Sequence, residues 1–254
     1  MTRGAMGGIA VGVLLLLGCS VGASGGDEPV PVPATSADAG ATLEAVDLLR
    51  SGTKFIDETS FRVDTDIAGI VTTRSYVDTL NKRAVSTVSA SGQVAEIRVI
   101  GDDVYLKTNM DLSGVGEEWM SLDPTRVPAG FALSFAPGKN DPGGSARLVD
   151  AVSTARIEGS QVAGTLDVTR MRVGNGINFR PGPGGTFPDA ARNQPFRATL
   201  DAEGRLVSFV IPEANGAPAA SLGYTDFGKA VEVVRPRGAV AAPAALYPQL
   251  GLGG

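Results

Sequence analysis

The sequence predicts an α+β, mainly β fold: a curled antiparallel sheet of about ten strands with helices packed on its concave face. Three observations predict it. From Ser60 onward apolar and polar residues alternate, the period of strands with one wet face. Short Gly/Asp/Asn turns divide the alternating runs at the spacing of a meander. Two stretches instead carry helical periodicity, too few to cover a sheet of that width.

The chain opens with Met1-Thr2-Arg3, and an apolar run extends from Ile9 to Leu17, ahead of Gly18-Cys19. That run is shorter than the ~20 residues a bilayer span needs. Basic end, short apolar core, small residue, cysteine is the order of a bacterial lipoprotein signal. The expectation is that residues 1–18 are removed and that the Cys19 thiol carries diacylglycerol. Two acyl chains hold a protein on a membrane stably, where one is marginal. An ordinary secretory signal ending near Cys19 is the alternative, and both export the chain. The expected location is the extracytoplasmic side of the cell membrane, through a lipid anchor. Residues 19–40 are Gly, Ala, Ser, Pro, Asp and Glu with almost no large apolar side chain, and read as a flexible spacer.

The folded domain is expected over residues 41–236. A helix is predicted over 41–58, with Ala45, Leu48, Leu49, Gly52, Phe55 and Ile56 on one face. Gly52 weakens it by about 1 kcal/mol relative to alanine but permits close packing. The first strand runs from Ser60, with Phe61, Val63 and Ile67 pointing inward. Further strands are predicted at 70–78, 84–90, 94–100 and 104–108. Trp119 lies in a short strand stopped by Pro124. A second helix is predicted over 145–155, then strands at 155–158 and 162–169. Residues 173–194 form a long Gly/Pro/Asn loop, of a length that is often functional or mobile. The clearest hairpin joins 196–200 to 205–211 through Asp201-Ala202-Glu203-Gly204, and strands at 220–225 and 230–235 follow. Residues 237–254, rich in Ala, Gly and Pro, are expected to be a disordered tail.

Composition excludes several functions. The formal charge is −5 with no dense Lys/Arg run, a poor basis for binding nucleic acid or anionic lipid by charge. Cys19 is the single cysteine, so no internal disulfide forms. There is no histidine, which rules out a Ser-His-Asp triad, a Cys-His pair and His-containing zinc sites. Asp102-Asp103 and Glu117-Glu118 are neighbours that point apart on a strand and read as solvated turn charges. Gly182-Pro183-Gly184-Gly185 lacks the Lys-Ser/Thr of a phosphate loop. No catalytic residue, metal or cofactor is expected.

Several segments, in this order, resemble a known pattern. They are the exported lipoprotein signal, the helix running into Thr59-Ser60-Phe61-Arg62-Val63, the strand Gly101-Asp102-Asp103-Val104-Tyr105-Leu106-Lys107, and Glu118-Trp119-Met120-Ser121-Leu122. The hairpin Thr199 to Leu206 and the stretch Tyr224 to Val233 complete it. The chain resembles the LppX/LprAFG-type lipoproteins of actinobacteria over roughly residues 41–236. The resemblance implies a LolA/LolB-like half-barrel closed on its concave side by helices. It also implies a hydrophobic cavity for the acyl chains of envelope lipids or lipoglycans, carried or presented, with an envelope lipid transporter as a possible partner. The 173–194 loop, with Phe179 and Phe187, has no counterpart in that pattern.

The expected function is therefore acyl-lipid binding by a membrane-anchored lipoprotein. The candidate cavity residues are Leu48, Leu49, Phe55, Ile56, Phe61, Val63 and Ile67, with Trp119 at an entrance, where its amphipathic ring suits a wet and greasy boundary. Burial of an acyl chain is favourable by about 0.8 kcal/mol per methylene and needs no ion pair. The same residues would equally form a packed core. In that case the alternative is a protein-docking or signalling module without lipid.

Overall fold

The structure is a computed structural model and describes residues 36–110, 112, 116–127, 135, 140–171, 174–181, 185–250 and 252. The expected lipoprotein signal, with Cys19, lies outside the described residues. Helix α1 spans Ser36–Gly52. Six strands follow: β1 Ser60–Ile67, β2 Val71–Asp78, β3 Arg83–Ala90, β4 Gln93–Ile100, β5 Asp103–Thr108 and β6 Met120–Leu122. Helix α2 is Ser145–Asp150, and then come β7 Val152–Glu158, β8 Gln161–Leu166, β9 Gln194–Leu200, β10 Leu206–Ile211 and β11 Ala220–Thr225. β12 is Val240–Ala241 and α3 is Leu246–Gln249.

All twelve strands form one curled, unclosed sheet in the order β12-β6-β5-β4-β3-β2-β1-β11-β10-β9-β8-β7. β1 sits in the middle. The chain meanders outward from it through β2 to β6, then restarts at the far edge with β7 and returns through β8 to β11, which pairs with β1. Every pairing is antiparallel except β12 on β6. The pleat sorts the side chains. Phe61, Val63 and Thr65 of β1 face inward and are buried, and Arg62, Asp64 and Asp66 face the other way. Register carries the inner face across the sheet: Phe61 opposes Val77, Val77 opposes Ala84, Ala84 opposes Val99 and Val99 opposes Val104. One continuous core results, from Val152 near one edge to Leu122 near the other.

Helix α1 covers the β7 wing. Its Ala45 and Leu49 are fully buried. The Thr42 hydroxyl lies 3.1 Å from the Ala155 amide and 3.4 Å from the Ala155 carbonyl oxygen, so the helix caps ladder groups that an edge strand would leave open.

Several elements differ from the sequence expectation. The helix begins at Ser36, inside the expected spacer, because Ser-Ala-Asp-Ala-Gly-Ala is Ala-rich and places Asp38 in the first turn, where the helix dipole favours it. It ends at Gly52, and Lys54–Asp57 form a separate 3-10 turn. A Cβ on Gly52 would stand 3.0 Å from Leu200 Cδ2 and 3.1 Å from Gly204 O, so glycine lets the helix end press on the β9–β10 hairpin. The second helix stops at Asp150, and Val152, with the β-branched Thr154 and Ile157, enters β7 instead. Residues 230–235 form no strand. They cross the outer face, where Arg98 Nη1 donates to the Val234 carbonyl at 2.9 Å and Arg235 reaches Tyr105 and Asp103.

The disordered tail is corrected as well. β12 runs parallel to β6 with Val240 opposite Met120, and Leu246, Tyr247 and Leu252 are buried in the core. The Asp123 amide donates to the Tyr247 hydroxyl at 2.7 Å, and the Arg126 guanidinium lies 3.7 Å from the centre of that ring. Leu246, Tyr247, Leu250 and Leu252 supply apolar surface that average composition hides.

Candidate functional site

The predicted lining residues are spread over α1, the 3-10 turn and β1, and the fold gathers seven of the eight. The turn Lys54–Asp57 exists because Thr53 breaks the helix, its amide and its hydroxyl both donating to the Arg50 carbonyl at 3.2 and 2.9 Å. This break swings Phe55 and Ile56 onto the sheet. Phe55 becomes the hub of an aromatic cluster. Its ring meets Phe61, Tyr224 and Phe227 edge-on, with centroids 5.5, 5.0 and 4.8 Å away, and Phe61 meets Tyr224 at 5.6 Å. These are the T-shaped separations that the ring quadrupoles favour. Leu49, Ile56 and Val63 are buried in the same core, and Leu48 and Ile67 are half-buried against it.

Trp119 stands elsewhere. It precedes the inward Met120 and so faces the other side of the sheet, where the Arg98 guanidinium lies 4.4 Å from its ring centre. It does not join the core cluster.

The polar frame around the cluster comes from residues the sequence reading passed over. Asp141 caps α2, accepting from the Ser145 and Ala146 amides at 3.1 and 2.8 Å. The buried Tyr224 hydroxyl lies 3.2 Å from Asp141 Oδ1 and 3.1 Å from Ser145 Oγ. Burial, reinforced by the Asp141 charge, pushes the Tyr224 hydroxyl well above the ordinary tyrosine range. Gly143 makes the approach possible, since a Cβ there would sit 2.6 Å from Leu222 Cδ1 and 2.8 Å from the Tyr224 hydroxyl. Asn140 donates to the Ile56 carbonyl at 3.3 Å and to the Thr79 hydroxyl at 2.6 Å. The run Asn140-Asp141-Pro142-Gly143-Gly144 was the available signal, being a cap residue followed by a Gly pair ahead of an apolar helix.

The 173–194 loop is partly pinned to this frame. Asn178 accepts from the Gly174 amide at 3.0 Å and donates to the Gly174 and Gly176 carbonyls at 2.7 and 2.8 Å. Arg147 of α2 donates to Asn178 Oδ1 at 3.2 Å and to the Ile177 carbonyl at 3.3 Å. Burial pushes this guanidinium below its ordinary value, against the pull of Asp141. Ile177 and Phe179 are buried in the core, and Phe187 packs against it.

Met110, Leu112, Val127 and Phe135 join the same core but belong to no helix or strand. Two hollows of note open on the described surface. One is a trough of ≈ 590 Å³ on the outer face of the sheet, and the other, of ≈ 450 Å³, lies between β6 and the C-terminal segment, beside Arg126 and Tyr247. Neither is lined by a predicted acyl-chain residue.

No family model matches this chain, and no curated protein does. Solved structures do. The chain is similar to the crystal structure of Mycobacterium tuberculosis lipoprotein LppX, at 15% identity and a TM-score of 0.41, over 77% of this chain and 99% of that one. A DUF1329 family protein from Desulfovibrio piger also matches, at 9% identity and a TM-score of 0.23, over 76% of this chain and 95% of that one. Among the described residues no group of three or more His, Cys, Asp or Glu is placed to hold a metal ion. No described helix is long and apolar enough to cross a membrane.

Proposed function

We propose that this chain is an exported lipoprotein, anchored through Cys19, that binds acyl chains of envelope lipids or lipoglycans against the inner face of its sheet and carries or presents them. The observation that carries the reading is the unequal cover of that face. Under α1 and α2 the core is closed by regular helices and an aromatic cluster. Beyond them, core residues such as Met110, Leu112, Val127, Phe135, Ile177 and Phe179 come from irregular chain among the described residues. Irregular segments open locally at a fraction of the global unfolding free energy, so an acyl chain can replace their side chains without unfolding the sheet. The inner face of β2 to β6 is uncharged and mostly apolar, with Val77, Ala84, Ile97, Val99, Leu106 and Met120 on five adjacent strands and the Ser75 and Ser86 hydroxyls paired with each other. The signal order at Met1 to Cys19 and the resemblance to the LppX/LprAFG-type lipoproteins support the same reading.

One observation favours a second reading. The predicted lining residues Leu49, Phe61 and Val63 are almost fully buried by other parts of the chain, which suits a packed protein-docking module of the same fold. Native mass spectrometry separates the two. Residues 20–254 are secreted behind a cleavable signal from a host with actinobacterial envelope lipids. The expected result is a discrete added mass that organic solvent extracts as an acyl lipid. A bare polypeptide mass that also takes up no fluorescent fatty-acyl probe would overturn the lipid-binding reading.

A further inference from the structure

We propose that the trough on the outer face of the sheet is a binding site for a neutral oligosaccharide. The trough lies across five adjacent strands, β10, β11, β1, β2 and β3, on the side away from the core. Register builds it in two rows. In one, Ser208, Gly223, Asp64, Arg74 and Thr87 oppose one another in turn. In the other, Ser221, Asp66, Thr72 and Ser89 do. Five strands at ~4.8 Å spacing give a length of about 19 Å, and the ≈ 590 Å³ volume is that of a ligand site.

The chemistry of the lining selects the occupant. Thr72, Thr87, Ser89, Ser208 and Ser221 present five hydroxyls, and none has a hydrogen-bond partner among the described residues. Directly opposed hydroxyls on this sheet can instead pair with each other. Ser75 and Ser86, directly opposed on the inner face, bond each other at 2.8 Å, and the opposed Thr154 and Thr165 lie 2.8 Å apart. Thr72 and Ser89 are opposed in the same manner and do not. Each hydroxyl offers one donor and two acceptor positions, the same set a sugar hydroxyl offers.

The charges of the trough cancel. Asp64 is held by Arg62 Nε and Arg74 Nε, each at 2.7 Å, and Asp66 accepts from the Gly69 amide at 2.7 Å. A polyanion would meet two carboxylates, and an acyl chain would bury the free hydroxyls unpaired. The sites are also independent of each other. The sheet stands between the trough and the core, so a sugar bound here does not depend on an acyl lipid bound there.

Gly223 supplies the test. It lies on the second of the five strands, between Ser208 and Asp64, and a Cβ there would meet nothing nearer than the Val207 carbonyl oxygen at 3.9 Å. Gly223→Leu therefore puts bulk between Ser208 and Asp64 with no clash at its Cβ. The mature chain is titrated by calorimetry with maltohexaose, cellohexaose, β-1,4-mannohexaose, α-1,5-arabinohexaose and dextran sulfate. The expected result is binding of at least one neutral hexasaccharide, weakened by about tenfold or more in Gly223→Leu at an unchanged thermal midpoint. The double variant Thr87→Ala/Ser89→Ala, which leaves the space open, is expected to weaken it as well. No binding of any neutral probe at about 1 mM, preference for dextran sulfate, or affinity indifferent to Gly223→Leu would overturn the proposal.

Discussion

Replacing Phe55 by alanine tests the reasoning about the inner face most directly. Phe55 is 5% exposed and touches three other rings edge-on. Loss of a buried Phe side chain to Ala costs about 3–5 kcal/mol, the transfer free energy plus the cavity left behind. Three T-shaped contacts, each worth about 0.5–1.5 kcal/mol beyond area burial, place this site at the upper end of that range. The neighbours collapse poorly into the gap. Phe61 and Tyr224 are held by β1 and β11, and the Tyr224 hydroxyl is tied to Asp141 and Ser145. A loss of about 4 kcal/mol is expected, or a fall in midpoint of roughly 8–16 °C for a domain of this size. Urea unfolding followed by circular dichroism and by Trp119 fluorescence, with coincident transitions, measures it. A loss below about 1 kcal/mol would refute the enclosure of Phe55, because only a ring already free to move or exposed is removed so cheaply.

Three further outcomes follow from particular contacts. Leu246→Ala removes a fully buried side chain and is expected to cost about 2–5 kcal/mol, whereas Tyr247→Phe removes only the acceptor of the Asp123 amide, about 1 kcal/mol. Equal urea midpoints for both variants and the parent chain would mean that the C-terminal segment is not docked. Tyr224 sets an alkaline limit. Its folded pKa lies above the unfolded value near 10, so its contribution is complete below about pH 10 and is lost as pH rises toward the folded value. Stability measured between pH 8 and 11 is expected to fall, and Tyr224→Phe to flatten that part of the decline; identical pH profiles would remove Tyr224 as the cause. If acyl chains bind on the inner face, a brominated fatty acid should leave Trp119 fluorescence unquenched, since that ring stacks on Arg98 on the opposite face. Strong quenching would put the acyl chain on the wrong side of the sheet.

The strands were legible where alternation was clean. Phe61-Arg62-Val63-Asp64 states which face is dry, and register then carries that assignment from strand to strand without further information. Residues 230–235 alternate too, yet make no strand, because their partners are side chains: Arg98 takes the Val234 carbonyl and Arg235 takes Asp103. Periodicity reports a potential face and not the group that meets it. Trp119 was misplaced for the related reason that a single residue has no period, and the side it takes is set by Met120 turning inward. The Asp141–Tyr224–Ser145 frame was illegible because Asp141 and Tyr224 stand on elements far apart in sequence, brought together by the packing of α2 on β11 through Gly143. The tail was misjudged from average composition, whereas Leu246, Tyr247 and Leu252 decide its docking individually.

What the two faces of this sheet can do follows from how each is bounded. The inner face is covered by other parts of the same chain, so anything that binds there must displace side chains, and the ease of displacement sets the affinity. Regular helices with Thr42 and Gly52 locked against β7 and the β9–β10 hairpin resist this, and irregular chain resists it less. The outer trough has no such competitor. Its hydroxyls face water before a ligand arrives, so binding there exchanges solvent for ligand without rearrangement and should be fast, weak and insensitive to the core. Coupling between the faces would require the sheet itself to change twist. β1 is a strand through which coupling would pass, because it lies at the centre of the order beside β2 and contributes Phe61 and Val63 to one side and Asp64 and Asp66 to the other. A ligand on one face that altered amide exchange in β1 would reveal such coupling. Exchange in β1 that is unchanged by either ligand would establish the sheet as a rigid partition between two separate sites.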